Sequence, residues 1–118
     1  MAQIKGDLTN VNDQLLLTCD EHFGSAEANG AVSLTLVPGA SGTVVIESSS
    51  GTDSTGADVW VQLEIYCDQA GVSALQSSLV GAAGAQHGRT EIVGAKKIRA
   101  RKSVTAASCY CILSFKAA

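Results

Sequence analysis

Residues 31–37 carry the sequence Ala-Val-Ser-Leu-Thr-Leu-Val, in which apolar and polar side chains alternate. Successive side chains of a β-strand point to opposite faces. Val32, Leu34 and Leu36 would therefore share one face, and Ser33 and Thr35 would share the other. This alternation predicts a strand with one buried face and one exposed face.

The residues that follow continue this pattern. Residues 38–42 are Pro-Gly-Ala-Ser-Gly, a typical turn composition, and residues 43–48 form another short segment rich in β-branched side chains. Because five-residue turns commonly connect neighbouring antiparallel strands, we expect residues 31–37 and 43–48 to pair as a hairpin.

Similar short segments separated by turns recur along the whole chain. Further strands are predicted at residues 3–5, 14–19, 58–67, 89–93, 96–104 and 108–116. Residues 70–88 contain several glycines, and a Gly-rich loop, an extended arm or a short helix are all compatible with them. The pattern predicts an all-β protein, an antiparallel β-sandwich or jelly-roll-like barrel of seven to eight short strands, with residues 1–118 as a single domain.

Composition limits the classes of protein that this chain can belong to. Its 118 residues suffice for a core, and 46% hydrophobic with 16% charged residues is typical of a globular domain. No apolar run approaches the roughly 20 residues of a membrane-spanning helix. The first residues lack an apolar signal region, so we expect synthesis in the host cytoplasm without a signal peptide and no membrane partner.

Charge is segregated along the chain. Residues 1–70 have a net charge of −9, residues 71–118 have a net charge of +6, and the whole chain has −3. A protomer with one acidic and one basic surface could attract further copies in a fixed orientation. Early and late strands can also pair within one sheet, in which case part of this complementarity is satisfied inside each protomer.

The basic run at residues 96–102 is the strongest local signal. In a strand, Lys97, Arg99 and Arg101 would line one face while Ile98 and Ala100 turn inward. A solvated strand face, a nucleic-acid groove and contact with an acidic neighbour are the alternatives. The run contains no aromatic residue and the pI is 5.2, which disfavours nucleic acid as a partner.

An acidic partner for this face is most simply the first half of another copy. The candidate residues on the acidic side are Asp20, Glu21 and Glu27, all in a polar segment between predicted strands. Only one acid, Glu91, lies in the same half of the chain as the basic run. We therefore predict that acids in that half cannot neutralise the basic face, and that it is a protein–protein interface.

The predicted strand at residues 58–67 places Trp60 and Tyr66 on one face. This face could contact another subunit, or Trp60 could cap the rim of the core. A third alternative is a carbohydrate-binding module, in which both rings form one flat stacking platform.

Residues for catalysis or metal binding are scarce. The four cysteines are expected to be buried free thiols, and His22 and His87 lie in loop-like contexts without ligand spacing. No serine lies in a Gly-x-Ser-x-Gly motif. We therefore predict no catalytic residues, no metal site and no cofactor.

Several segments together resemble small β-sandwich structural proteins of tailed-bacteriophage virions. The resemblance covers about residues 30–118. Its motifs are Val-Ser-Leu-Thr-Leu-Val at 32–37 with a Gly turn, Thr-Val-Val-Ile-Glu-Ser at 43–48, Trp60, Gly-Ala-Lys-Lys-Ile-Arg-Ala-Arg at 94–101 and the closing segment at 109–116. The loop before Trp60 is longer than the family's usual Asp-Gly turn, and residues 72–88 have no aligned counterpart.

The resemblance implies an architectural role without catalytic residues. It implies a virion location, with further copies and the major capsid protein or other virion proteins as partners. Capsid decoration or cement is the favoured role because the chain is one module without a fibrous repeat. A head–tail connector or a tail or fibre component are the alternatives within the family.

Overall fold

Strands make up most of the chain that the computed structural model describes, which comprises residues 2–37, 42–69, 72–80, 86–104 and 108–118. The strands in this part are β1 (Ala2–Leu8), β2 (Gln14–Thr18), β3 (Ala28–Leu36), β4 (Thr43–Ser49), β5 (Val61–Leu63), β6 (Ile65–Gln69), β7 (Val72–Gln76), β8 (Leu79–Val80), β9 (Gln86–Ala95), β10 (Lys97–Lys102) and β11 (Cys109–Ala117). A π-helical turn, Cys19–Phe23, follows β2.

Two antiparallel sheets enclose one core. The first has six strands in the order β1-β11-β3-β9-β6-β7, and the second has the order β2-β10-β4-β5, with β8 pairing beside β5 on the same edge of β4. The prediction of an all-β sandwich is confirmed.

Side chains alternate between core and surface along the central strands. In β3, Val32, Leu34 and Leu36 are all 0% exposed, and the intervening Ser33 and Thr35 are only half-buried. Each leucine buried this completely contributes about 2 kcal/mol of transfer free energy. The alternation predicted for residues 31–37 is therefore confirmed, and it positions β3 at the centre of the larger sheet.

The predicted hairpin between residues 31–37 and 43–48 is wrong. β3 pairs with β11 and β9 in the six-stranded sheet, whereas β4 pairs with β10 in the other sheet. The turn composition allows the chain either to reverse within one sheet or to cross to the other. Both strands have an apolar face to bury, and placing them in opposite sheets buries both faces against each other.

The long strand predicted at residues 58–67 is two strands in different sheets. β5 pairs with β4 and β6 pairs with β9, with Glu64 between them. Val59 and Val61 are 48% and 57% exposed, although they share the alternation of the buried Ile65. Only the part of this segment that lies between the sheets can bury its apolar side chains.

Residues 70–88 differ from the expected loop, arm or helix. Their described part forms β7, which pairs with β6, then β8, and the start of β9. Ser77 and Ser78, which disfavour a helix interior, lie in the bend between β7 and β8. β7, β8 and the division of the predicted strand 58–67 into β5 and β6 explain why the described part contains eleven strands where seven to eight were predicted.

The turn between β1 and β2 fixes the end of β10. The Asp13 carboxylate accepts hydrogen bonds from the backbone N–H groups of Asn10 (2.8 Å) and Thr9 (3.0 Å), and these bonds hold the pKa of Asp13 below its ordinary value. The Lys102 backbone N–H donates to the Asp13 carbonyl and the Lys102 carbonyl accepts from the Asn12 N–H. This turn thereby brings Asn12 and Gln14 beside the basic strand.

Candidate interaction surface

The basic strand β10 has the predicted alternation. Ile98 and Ala100 are 0% exposed, whereas Lys97, Arg99 and Arg101 lie half-buried on the outer face of the second sheet. Lys102 continues the inward series and is 0% exposed. Its Nζ donates a hydrogen bond to the Thr9 carbonyl oxygen at 2.9 Å, which helps to offset the cost of removing an ammonium group from water.

Glu47 of β4 binds both arginines of this face. Arg99 lies directly opposite Glu47 in the β10–β4 register, and Arg101 lies one diagonal position away. Each arginine Nε donates to Glu47 Oε1 at 2.8 Å, and Arg101 Nη2 lies 3.4 Å from Oε2. Two guanidinium groups thus share one carboxylate, which we call the Glu47 cluster.

Two amide side chains extend the Glu47 cluster. Arg99 Nη1 donates to Gln14 Oε1 and Arg101 Nη1 donates to Asn12 Oδ1, both at 3.0 Å. These bonds fix the orientation of the guanidinium planes, because each group is held from two sides.

The electrostatics of Glu47 follow from this packing. Burial alone would raise the pKa of Glu47, but hydrogen bonds and charge from Arg101 and Arg99 outweigh burial and hold it below its ordinary value. Conversely, the hydrogen bond to Glu47 raises the pKa of Arg101. The cluster is therefore fully charged near neutral pH.

Residues between β4 and β5 pack over the same face. Lys97 Nζ donates to Asp58 Oδ2 at 2.8 Å, and the Trp60 ring lies beneath the Arg99 guanidinium with 4.0 Å between Cζ and the ring centroid. The Lys97–Asp58 pair is partly exposed, so it contributes at most about 1 kcal/mol. The stacked Arg99 is more constrained, since a ring and a carboxylate both hold it.

The acids that neutralise this face come from the first half of the chain, as the pairing of early and late strands within one sheet allows. Glu47 and Asp58 both belong to the acidic first half of the chain, and they pair with all three predicted basic residues. The three bases and two acids leave one net positive charge. On this face, therefore, the opposite charges of the two halves of the chain largely pair with each other within one protomer.

The acidic candidates lie next to the basic strand. An open cleft of about 510 Å³ is lined by Glu21 together with Lys96 and Lys97, and the Glu27 carboxylate lies beside Gly94, just before β10. The Asp20 side chain lies outside the described part of the structure. The charge segregation suggested separate acidic and basic surfaces, but Glu21 and Glu27 lie next to the basic strand. Their role as protein–protein contacts remains a prediction.

Trp60 and Tyr66 do not form a common platform. The chain changes sheets at Glu64, so Trp60 packs against Arg99 of the second sheet while Tyr66 packs against Arg89 of the first, 4.8 Å from centroid to Cζ. The single flat stacking face expected for a carbohydrate-binding module is wrong. Each ring as an individual subunit contact remains a prediction.

The cysteines have the character of structural thiols. All four are free, and Cys67, Cys109 and Cys111 are buried. Cys109 and Cys111 share a face of β11, with their sulfurs 3.6 Å apart. Burial and then the neighbouring Cys109 raise the pKa of Cys111, so this thiol resists forming the thiolate that nucleophilic or metal chemistry requires.

The histidines are used locally in the part of the chain that the structure describes. His22 Nδ1 accepts a hydrogen bond from the Thr18 backbone N–H, and His87 Nδ1 lies 3.0 Å from Thr35 Oγ1 on the outer face of the first sheet. No described carboxylate hydrogen-bonds to the His87 ring. Within the described ranges, no three His, Cys, Asp or Glu side chains group as metal ligands, and no helix is long and apolar enough to cross a membrane.

Sequence reasoning missed Glu47 and Asp58 as the partners of the basic strand. A signal was present for Glu47, because it is the only charged residue of the β4 segment, Thr-Val-Val-Ile-Glu-Ser-Ser. To identify Glu47 as the partner, one must know that β4 pairs with β10. These two strands are separated by about 50 residues of sequence and connected through the other sheet.

The two sheets and their connections define an antiparallel β-sandwich whose outer faces carry polar networks. The crystal structure of the SPBc2 prophage-derived protein YomS has a similar fold, with a TM-score of 0.57 and 10% sequence identity. The similarity covers 96% of this chain and 93% of that one. No family model and no curated protein matches the sequence.

Proposed function

We propose that this chain is a non-enzymatic structural component of a tailed-bacteriophage virion that acts by assembling with other protein subunits. The observation that carries the proposal is the similarity in fold to a prophage-derived protein over nearly the full length of both chains. The resemblance of residues 30–118 to virion β-sandwich proteins supports the same assignment independently of that comparison.

Within this role, capsid decoration is our preferred function, and a connector or a tail or fibre component are the alternatives. A single sandwich without a fibrous repeat is suited to docking on a repeating surface. The partners proposed are further copies of the chain and the major capsid protein or another virion protein. The virion is the proposed location.

The proposed docking contacts lie at the end of the second sheet where β9 leads into β10. Lys97 and Glu21 are contacts we favour, because they line an open cleft there that carries both signs of charge. Glu27 is a third, because its carboxylate lies beside Gly94 at the same junction. Arg99 and Arg101 are proposed to act mainly by holding this face in shape through Glu47. Asp20, Trp60 and Tyr66 are further proposed contacts from the sequence.

Nucleic acid is not a proposed partner. A binding groove needs basic side chains that are free to neutralise phosphates. Here the three outward-facing bases of β10 already pair with Glu47 and Asp58, which leaves little uncompensated charge for a phosphate backbone.

Purification of particles tests the proposal. Virions from a lysate of cells carrying the gene would be separated on a density gradient, and each fraction would be quantified by mass spectrometry. We expect this chain to co-migrate with the major capsid protein at a fixed ratio that survives a second gradient. A host cytosolic protein of similar abundance is the matched control, and recovery of the chain only with that control would refute the proposal.

A further inference from the structure

The free edge of β1 carries two opposite charges in a self-complementary order. β1 is the outermost strand of the six-stranded sheet and pairs with β11 along its whole length. Gln3, Lys5 and Asp7 are exposed on its outer face, whereas Ile4 and Leu8 turn toward the core. Neither Lys5 nor Asp7 forms an ion pair within the described residues.

The order of these residues fits an antiparallel copy of itself. When two β1 edges run antiparallel about a two-fold axis through Gly6, Lys5 faces the partner subunit's Asp7 and Asp7 faces the partner subunit's Lys5. Ile4 then faces the partner subunit's Leu8 on the core side. Each of the five positions from 4 to 8 thus meets a residue of matching polarity or opposite charge.

We propose that two copies of this chain associate through their β1 edges about this axis, which joins their six-stranded sheets into one continuous sheet. The association deepens the proposed function, since it rests on the proposed self-assembly and names the surface that carries it. Backbone hydrogen bonds between the edges supply affinity, and the two symmetric Lys5–Asp7 pairs supply the register.

The order of Lys5 and Asp7 distinguishes a dimerisation edge from an edge strand whose charges only prevent pairing with other strands. A charged residue on an edge strand usually blocks pairing with other strands. Here the charge of Lys5 is blocking for a neutral strand but attractive for a copy that presents Asp7 at the facing position. The opposite edge of the same sheet, β7, has the uncharged sequence Val-Ser-Ala-Leu-Gln and lacks any comparable register signal.

A charge-swap series tests the dimer in the isolated full-length protein by sedimentation at several concentrations. Wild type is expected to dimerise. Lys5→Asp and Asp7→Lys each place two like-charged pairs across the axis, so the dissociation constant should rise by about 10-fold or more. Mixing the two single variants should restore dimers, since every facing pair is then opposite in charge, and the double variant K5D/D7K should dimerise alone.

Lys116→Asp is the matched control, because it makes the same charge change at the exposed end of β11, one strand inward from the edge and not at a position that faces the partner copy. It should leave the dimer intact, and circular dichroism should show that all variants are folded. A monomeric wild type, single variants that remain dimeric, or a mixture that stays monomeric would each overturn the proposal. Dimers insensitive to both swaps would indicate the β7 edge instead.

The outcome is distinguishable from that of the particle experiment. If the protein forms the β1 dimer but is absent from virions, this inference stands and the proposed function fails. If the protein is bound to virions but is monomeric in isolation, the proposed function stands and this inference fails.

Discussion

Replacing Glu47 by glutamine is expected to lower the free energy of unfolding by about 2–3 kcal/mol. The substitution removes the carboxylate that Arg99 and Arg101 share and turns an amide N–H₂ toward one of them. Removing one partner of a fully buried ion pair typically costs about 3–5 kcal/mol, and the arginine side chains here keep 18% and 21% exposure, which lowers the expected cost to below or at the bottom of that range. Urea denaturation monitored by Trp60 fluorescence measures the loss.

Glu91→Gln is the matched control for this substitution. Glu91 is an exposed acid on β9, so the same change in charge there should alter stability by less than about 0.5 kcal/mol. Equal stability losses in the two variants would show that Glu47 has no special role in holding β10 against β4.

The pH dependence gives a second measure of the same cluster. Since the pKa of Glu47 in the folded protein is held below its ordinary value of 4.5, its contribution to stability is present above that value and is lost as the pH falls through the folded pKa. The stability difference between wild type and Glu47→Gln should therefore narrow below about pH 4.5. Asp13 and Asp53 titrate in both proteins and cancel in this difference.

Replacing Gly88 by alanine is expected to cost about 3 kcal/mol. Gly88 is buried in β9 opposite Cys67 of β6 and Leu34 of β3. An added Cβ would come within 2.2 Å of the Ile65 Cγ2 methyl. That methyl belongs to a β-branched side chain that is 0% exposed, so it cannot rotate away without displacing the core.

A double-mutant cycle isolates this steric effect. Ile65→Ala removes the clashing methyl, so Gly88→Ala should cost far less in that background than in wild type. Gly51→Ala is the control glycine, because an added Cβ there meets nothing within 4 Å. Additive effects of the Gly88 and Ile65 substitutions would contradict the packing described here.

The fold class could be predicted from the sequence because the strongest strands have one buried face. The alternation in β3 and in β10 survives in the structure almost residue by residue, since both strands stay in a single sheet along their length. The alternation of apolar and polar residues was sufficient to predict a strand wherever that strand stayed in one sheet along its whole length.

Strand partners were less predictable because they depend on contacts between distant residues. Glu64 marks the point where the predicted strand 58–67 passes from one sheet to the other, and alternation does not register such a crossing. For the same reason the Glu47 cluster was missed, because it depends on the pairing of β4 with β10.

The central claim is that the chain works as an assembled part of a virion. Cryo-electron microscopy of the purified particle tests it most directly. The claim predicts density that fits the two-sheet sandwich at repeated positions, on the capsid shell if decoration is the role and at the neck or tail if it is not. Particles whose density is fully accounted for by other proteins, with this chain left in the soluble lysate, would contradict it.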